Sequence, residues 1–415
     1  MQIEGDVRKR AVVVGGSMGG LLTALLLKRS HWHVDVFERV GSELAGRGAG
    51  IVTHGELFDV VARAGISVRP ESLGVSVPGR RVFDRTGEVA GELPLEQVLT
   101  SWGRLYALLR GAFPDDHYHH GKTFVRAEED ASGVTAHFED GTSVRADLLV
   151  GADGLFSTVR RQYLPDAEPH YVGYVAWRGL VEEAELSSAT RDVLCDWFAF
   201  SLPPSEQMLG YPVAGADEAV ARGQRRFNFV WYRPAAPNGA LTELLTGKDG
   251  TKHQLSIPPH CIRDAVIDGM REDAETLLAP QFAEVVRHTK QPFIQAILDF
   301  ETPQMALGQT RRIAIIGDAA FVARPHIGMG VTKAAADAAA LTRALSDHPG
   351  DVPAAVLAFE RERLPYGAAV VRRARHLGTY MQAQLLTPED RDLAERHRSP
   401  EAVMAETAVS TGITA

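Results

Sequence analysis

Cysteine is almost missing from this chain: of 415 residues only Cys195 and Cys261 are cysteines, and no Cys-x-x-Cys pair occurs. That excludes a disulfide-built scaffold and a cysteine-ligated zinc site, and it fits a reducing compartment, the cytoplasm. No stretch approaches the roughly 18 uninterrupted apolar residues of a membrane span, so none is expected. Arg8-Lys9-Arg10 before an apolar run has the look of a secretory leader, but glycines interrupt the run at once and it reads as the first strand. Positive charge is in deficit, 44 Lys and Arg against 53 Asp and Glu, a formal net of −9. Nucleic acid and anionic membrane surfaces are therefore poor partners, and a small molecule is the expected one. No internal repeat is visible.

What the chain does have is glycine beside acid at distant places. Ala11-Val12-Val13-Val14-Gly15-Gly16-Ser17-Met18-Gly19-Gly20 is a β-branched run that breaks into glycines and passes into a helix-like stretch, residues 21–28. A strand, tight turn and helix start in that order gathers unpaired N–H groups at the positive end of a helix dipole, which suits a pyrophosphate. The glycines let the backbone approach its ligand closely. About 18 residues beyond Gly20, the strand-like His33-Val34-Asp35-Val36-Phe37 ends in Glu38, near the spacing of a carboxylate that accepts from a ribose. The middle glycine of G-x-G-x-x-G is Ser17 here. Apolar runs also precede Gly151-Ala152-Asp153-Gly154 and Gly317-Asp318-Ala319-Ala320, and Pro325-His326-Ile327-Gly328-Met329-Gly330 opens an alanine-rich helix over residues 331–345. An aspartate at a strand end can hold a ribose or ribityl hydroxyl, and that helix start can face a flavin's pyrimidine edge. Read together, the segments are contact points of one flavin adenine dinucleotide (FAD).

These motifs resemble, in order and spacing, the group A FAD-dependent aromatic monooxygenases, the p-hydroxybenzoate hydroxylase family, over roughly residues 9–375. Gly173-Tyr174-Val175-Ala176-Trp177-Arg178-Gly179, Gly210-Tyr211-Pro212-Val213 and Thr100-Ser101-Trp102 resemble the branch containing 2,6-dihydroxypyridine 3-hydroxylase. The resemblance implies an α/β fold, a Rossmann-like FAD-binding domain of the GR2 type with an inserted mixed β-sheet substrate domain. It implies non-covalent FAD, with NADH or NADPH as transient co-substrate and O2, because no second Rossmann signature houses a nicotinamide. In that family reduced flavin captures dioxygen as a C4a-hydroperoxide and passes its distal oxygen to an electron-rich ring. Matching motif positions assign cofactor contacts to Gly15, Ser17, Met18, Gly20, Glu38, Arg39, Arg47, Val125, Asp153, Asp318, Pro325, Gly328, Met329 and Gly330. Two departures stand out: Trp102 occupies the register of a family arginine, with compensation by the nearby Arg104 left open, and Phe321 replaces the histidine that often follows Gly-Asp-Ala-Ala.

Length allows two or three domains. The expected organisation is a discontinuous FAD-binding domain, residues 1–165 and 301–385, around a substrate sheet, residues 166–300 with part of 66–104, and a peripheral C-terminal segment, 386–415, with no chemistry of its own. Alternation over residues 134–138 before Glu139-Asp140-Gly141-Thr142 predicts a hairpin whose returning strand delivers Asp153. Residues 353–384 are expected to form one long helix.

Substrate-side candidates follow from chemistry. His54 and His326 are the candidate bases, since histidine handles protons near neutral pH and removing a phenolic or lactam proton enriches the attacked carbon. Tyr211 is a candidate catalytic phenol and substrate contact, with Trp231 and His54 beside it. On residues 226–232 alternation puts Phe227, Phe229 and Trp231 on one face and Asn228, Val230 and Tyr232 on the other, one of which lines the pocket. Arg178 either serves the site or pairs with an acid under the sheet. His117, His119 and His120 read as a surface-loop cluster, and no metal is expected. The activity expected is hydroxylation of a small dihydroxypyridine- or phenol-like ring. The alternatives are Baeyer–Villiger or epoxidising oxygenation in natural-product metabolism, a flavin-dependent reductase or dehydrogenase, and a non-catalytic nucleotide sensor. A homodimer is expected by the same resemblance.

Overall fold

Strand Arg10–Val14 is apolar on both faces, as a central parallel strand must be, and in the computed structural model, which describes residues 9–44, 50–215, 218–383 and 385–410, it lies mid-sheet. It pairs in parallel with His33–Glu38 on one side and Leu148–Gly151 on the other. Among the described residues this sheet has six strands, continuing to Ile313–Ile315 and Ala306–Leu307 at one end and Tyr118–His120 at the other. The crossover helix Met18–Arg29 packs against helix Gly330–Asp347. Small residues allow that approach: a side chain begun at Gly19 would meet Ala334 Cβ at 3.4 Å. Behind them runs Val352–Gly378, a single helix despite the internal Pro365, ending a few residues before the expected 384.

The anticipated hairpin forms between Gly133–Phe138 and Ser143–Ala146. Asp153, however, follows a different strand, Leu148–Gly151, because the chain changes sheets at Asp147, whose amide donates to the Arg10 carbonyl.

The second sheet, nine strands among the described residues, is mixed. Arg226–Pro234 lies within it, antiparallel to both His170–Glu182 and Gln207–Val213. Both its faces are buried. Phe227, Phe229 and Trp231 join Trp177, Phe282 and Val286 in one core, covered by helices Asp264–Leu277 and Pro280–His288. Val230 and Tyr232 join Tyr174, Phe198, Leu209 and Tyr211 on the opposite face.

The expectation of a peripheral C-terminal segment is corrected here. Helices Pro388–His397 and Pro400–Glu406 fold back, and Val403, Met404 and Ala408 are buried with Val77, Val82 and Leu99 of strands Val75–Phe83 and Val89–Ser101. Polar composition hid a few apolar residues at helical spacing. Among the described residues no helix is long and apolar enough to cross a membrane.

Candidate active site

At the carboxyl ends of the parallel strands the chain builds a cavity of about 290 Å³, lined among others by Gly15, Ser17, Glu38, Arg39 and Asp153. Gly15 has φ +107°, and a Cβ there would stand 2.3 Å from the Ala152 carbonyl oxygen; one on Gly20 would stand 1.9 Å from the Gly15 oxygen. The turn therefore tolerates only glycine at these points. Ser17 precedes the helix Met18–Arg29 without capping it through its side chain, so the helix's first N–H groups stay available to an anion. Glu38 is buried and accepts from the amides of Gly16 at 2.8 Å and Val40 at 2.9 Å. It ties strand to turn and keeps lone pairs for a ribose. Asp153 accepts from Ser157 Oγ at 2.5 Å and the Thr158 amide at 2.7 Å, and its withdrawal from water raises its carboxyl above the ordinary range.

A second cavity, about 360 Å³, lies between the nine-stranded sheet and the segment that carries Asp318 and residues 325–330. Gly328 is left-handed at φ +68°, and Met329 precedes helix Gly330–Asp347, again without a side-chain cap. Buried Lys333 places its ammonium 3.7 Å from Asp318, without a hydrogen-bond partner among the described residues. Two uncapped helix starts, glycine-closed turns and an acid at each cavity suit a dinucleotide carrying a pyrophosphate and an electron-accepting ring.

The opposite wall comes from the nine-stranded sheet: Arg178, Tyr211, Tyr232 and Gln295 supply polar groups among Phe198, Leu209 and Ile297. Burial pushes the Tyr211 phenol well up and that of Tyr232 up to about 12, with the Arg178 charge pulling both partly back. Both phenols therefore stay protonated donors. No carboxylate among the described residues lies within ion-pair distance of Arg178, and its buried Nε has no partner. His326 lines the same cavity and bonds the Ala374 carbonyl through Nε2 at 2.9 Å. That contact puts the ring proton on Nε2 and leaves Nδ1 a bare acceptor, without a partner among the described residues. Burial lowers the imidazole to about 3.

Several candidates lie elsewhere. His54 does not line the cavity: Nδ1 is 3.0 Å from Thr332 Oγ1 and Nε2 is 3.3 Å from the Ala408 carbonyl, so both ring nitrogens are engaged, and burial lowers its pKa. Trp231 faces the opposite core and donates to Glu206 Oε2 at 2.8 Å. Val125 turns its side chain outward, while its neighbours Lys122, Thr123 and Phe124 line the smaller cavity. The side chain of Met18 and the backbone at Gly20 are buried in helix packing. Arg47 lies outside the described residues. Arg104 does not substitute for the missing arginine, since it bonds the carbonyls of Ser72 and Glu218; Trp102 lines the smaller cavity, stacked on Tyr106 at 5.0 Å. Arg178, Tyr232 and Gln295 become site residues only because the sheet turns that face inward.

The histidine cluster is not a free loop. His119 and His120 are on the edge strand Tyr118–His120, with His117 just before it. Asp35 gathers Arg10 at 2.7 Å, His117 at 3.0 Å, His33 at 3.2 Å and His119 at 3.3 Å. Against the upward pull of burial, its hydrogen bonds from His117, Arg10 and His119 hold the carboxyl down to about 2. Donor atoms of His33, Asp35 and His117 lie within 4.8 Å of one another, but the Arg10 guanidinium already holds the oxygen a cation would share.

Residues 8–218 match the FAD binding domain family and residues 171–299 the FAD binding domain-like family. The chain is 32% identical over 379 residues to 2,6-dihydroxypyridine 3-monooxygenase of Paenarthrobacter nicotinovorans, covering 90% of this chain and 91% of that protein. It is 30% identical to 3-amino-4-hydroxybenzoate 2-monooxygenase of Streptomyces cremeus, with 89% and 86% covered. The solved 2,6-dihydroxypyridine-3-hydroxylase from Arthrobacter nicotinovorans superimposes with a TM-score of 0.84 at 31% identity, over 91% of this chain and 93% of that one. Sequence motifs, fold and these likenesses agree: the chain belongs to the FAD-dependent aromatic monooxygenase family, the p-hydroxybenzoate hydroxylase group, beside 2,6-dihydroxypyridine 3-hydroxylase.

Proposed function

We propose that this monooxygenase hydroxylates a small, electron-rich aromatic or N-heteroaromatic ring, of dihydroxypyridine or phenol type, in this second cavity. The observation that carries this is one cavity lined by Arg178, whose guanidinium has no ion-pair partner among the described residues, and by the protonated phenols of Tyr211 and Tyr232, opposite the Asp318 and residues 325–330 wall. Its volume, about 360 Å³, is at the small end for ligand sites. The relatives named for dihydroxypyridine and aminohydroxybenzoate oxygenation support the same class.

FAD supplies the redox chemistry when bound, taking reducing equivalents from NADH or NADPH and activating dioxygen. Gly15, Ser17, Glu38, Arg39 and Asp153 would hold its adenosine and pyrophosphate end, and Asp318, Pro325, Gly328, Met329 and Gly330 its ring end. Arg178 fixes an anionic ring oxygen through charge-assisted hydrogen bonds. Tyr211 and Tyr232 donate to ring oxygens, and His326, kept neutral by burial, adds no charge to that part of the wall. Phe198, Leu209 and Ile297 hold the ring and exclude water. A homodimer in the cytoplasm completes the reading.

The test is a panel of pyridinols, phenols and bicyclic rings, scored for stimulated NAD(P)H oxidation with products weighed by mass spectrometry. A product one oxygen heavier with the ring intact supports the reading. A ring-expanded lactone would replace it with Baeyer–Villiger chemistry, and anaerobic turnover with an alkene acceptor would replace it with a reductase.

A further inference from the structure

The C-terminal segment reaches the cavity. Thr407 and Ala408 line it, far along the chain from the strands they face. Ala408 is held from four directions: its amide donates to the His326 carbonyl at 2.8 Å, and its own carbonyl accepts from Gln97 at 3.0 Å and Arg80 at 3.4 Å, with His54 Nε2 at 3.3 Å. Gln207 Nε2 reaches Thr407 Oγ1 at 3.4 Å. Beneath it, Gly328 has no room for a side chain, since a Cβ would stand 2.7 Å from Ala408 Cβ.

Arg80 is the latch. It is fully buried, stacked on Phe198 at 5.0 Å, and donates to the carbonyls of Met404 and Thr407 as well as Ala408. These are the carbonyls left open where helix Pro400–Glu406 ends, the place where a cation is favoured. A buried guanidinium without a carboxylate partner among the described residues is costly; burial lowers it to about 10. Its partners are almost all in the C-terminal segment.

We infer that residues 400–408, latched by Arg80, form the last wall of the substrate cavity, excluding water from the reacting ring and limiting substrate size. The inference goes beyond the proposed substrate class and leans on the oxygenase reading only for its peroxide readout. A loosened wall admits water and bulkier rings. Reducing equivalents are then lost as hydrogen peroxide: NAD(P)H, a proton and dioxygen leave as NAD(P)⁺ and H2O2, with both hydride electrons on dioxygen.

The test compares the native enzyme with Arg80→Met, with Arg80→Lys, which keeps a donor for the same carbonyls, and with a chain ending at residue 386. Hydrogen exchange of residues 400–408, in FAD-loaded and FAD-free protein, is expected to speed up at least about tenfold in Arg80→Met and to return toward native in Arg80→Lys. Iodide quenching of flavin fluorescence is expected to rise in parallel. With FAD saturating, H2O2 formed per NAD(P)H is expected to rise severalfold and bicyclic rings to become ligands by difference spectra. If the truncated chain does not fold, the two Arg80 variants carry the test. Unchanged exchange in Arg80→Met overturns the latch. Faster exchange with unchanged quenching, peroxide yield and ring-size limit overturns the wall. A chain that hydroxylates nothing in the panel, yet shows faster exchange, greater quenching and bicyclic binding, leaves the wall standing while the substrate reading falls.

Discussion

Replacing Arg178 by Gln removes one positive charge from the substrate-side wall while keeping a side chain of similar length. Arg178 has no ion pair among the described residues and its Nε is orphaned, so the guanidinium is uncompensated until a ligand arrives. A hydrogen bond to a charged group contributes about 1.5–3 kcal/mol, which corresponds to a roughly 10- to 150-fold rise in KM for a ring that binds through an oxyanion. The same substitution breaks no ion pair, so Tm is expected to stay level or rise. It also removes the charge that partly lowers Tyr211 and Tyr232, so neither phenol begins to ionise at working pH. Steady-state KM and kcat for a ring anion and its O-methyl ether, with difference spectra of the bound flavin, measure this. The native enzyme should prefer the anion and Arg178→Gln should lose that preference, with substrate-free reduction by NAD(P)H unchanged. A KM within about twofold of native, or an equal loss for anion and ether, would refute the reasoning.

Trp231→Phe should lower stability by about 1–3 kcal/mol, read as a fall in Tm, by opening core volume and removing the donor to Glu206 Oε2, with Arg233 still on Oε1, and leave KM unchanged; a large KM effect would return Trp231 to the substrate list. Gly15→Ala forces φ +107° and a 2.3 Å contact, so FAD affinity should fall about 5- to 150-fold for 1–3 kcal/mol of strain, read by FAD content after gel filtration. His326 has its folded pKa depressed from 6.5 to about 3, so the unfolded chain binds more protons between those values. Its contribution to stability is intact above about pH 6.5 and is lost as pH falls toward 3, at up to about 1.4 kcal/mol per pH unit. His326→Gln should flatten the acid limb of a Tm-against-pH curve, and an unaltered limb would show that the ring is not held neutral.

The proposed nucleotide site was largely legible because its chemistry is local. Gly15, Glu38, Asp153 and Asp318 stand at or just past strand ends and Gly20 in the first turn of the following helix, where tight turns demand glycine and helix starts favour anions, and neighbouring residues impose those demands. The substrate side was not legible. Period-two alternation separates Trp231 from Tyr232 but is blind to which face inserts toward the cofactor; helices Asp264–Leu277 and Pro280–His288 settle that by covering the Trp231 face. His54 follows strand Gly50–Val52, which lines the cavity, yet Thr332 and Ala408 take both its nitrogens.

Cofactor class and enzyme family were thus determined by the sequence alone, because dinucleotide binding rests on contiguous strand–turn–helix units whose residue demands repeat. Only tertiary structure decided which polar groups line the second cavity, that Asp35 meets His117 and His119 from a segment about 80 residues further along the chain, and that Thr407 and Ala408 of the weakly patterned C-terminal segment line that cavity. Those outcomes depend on long-range packing and on buried charges finding carbonyls far along the chain, and no local pattern encodes them.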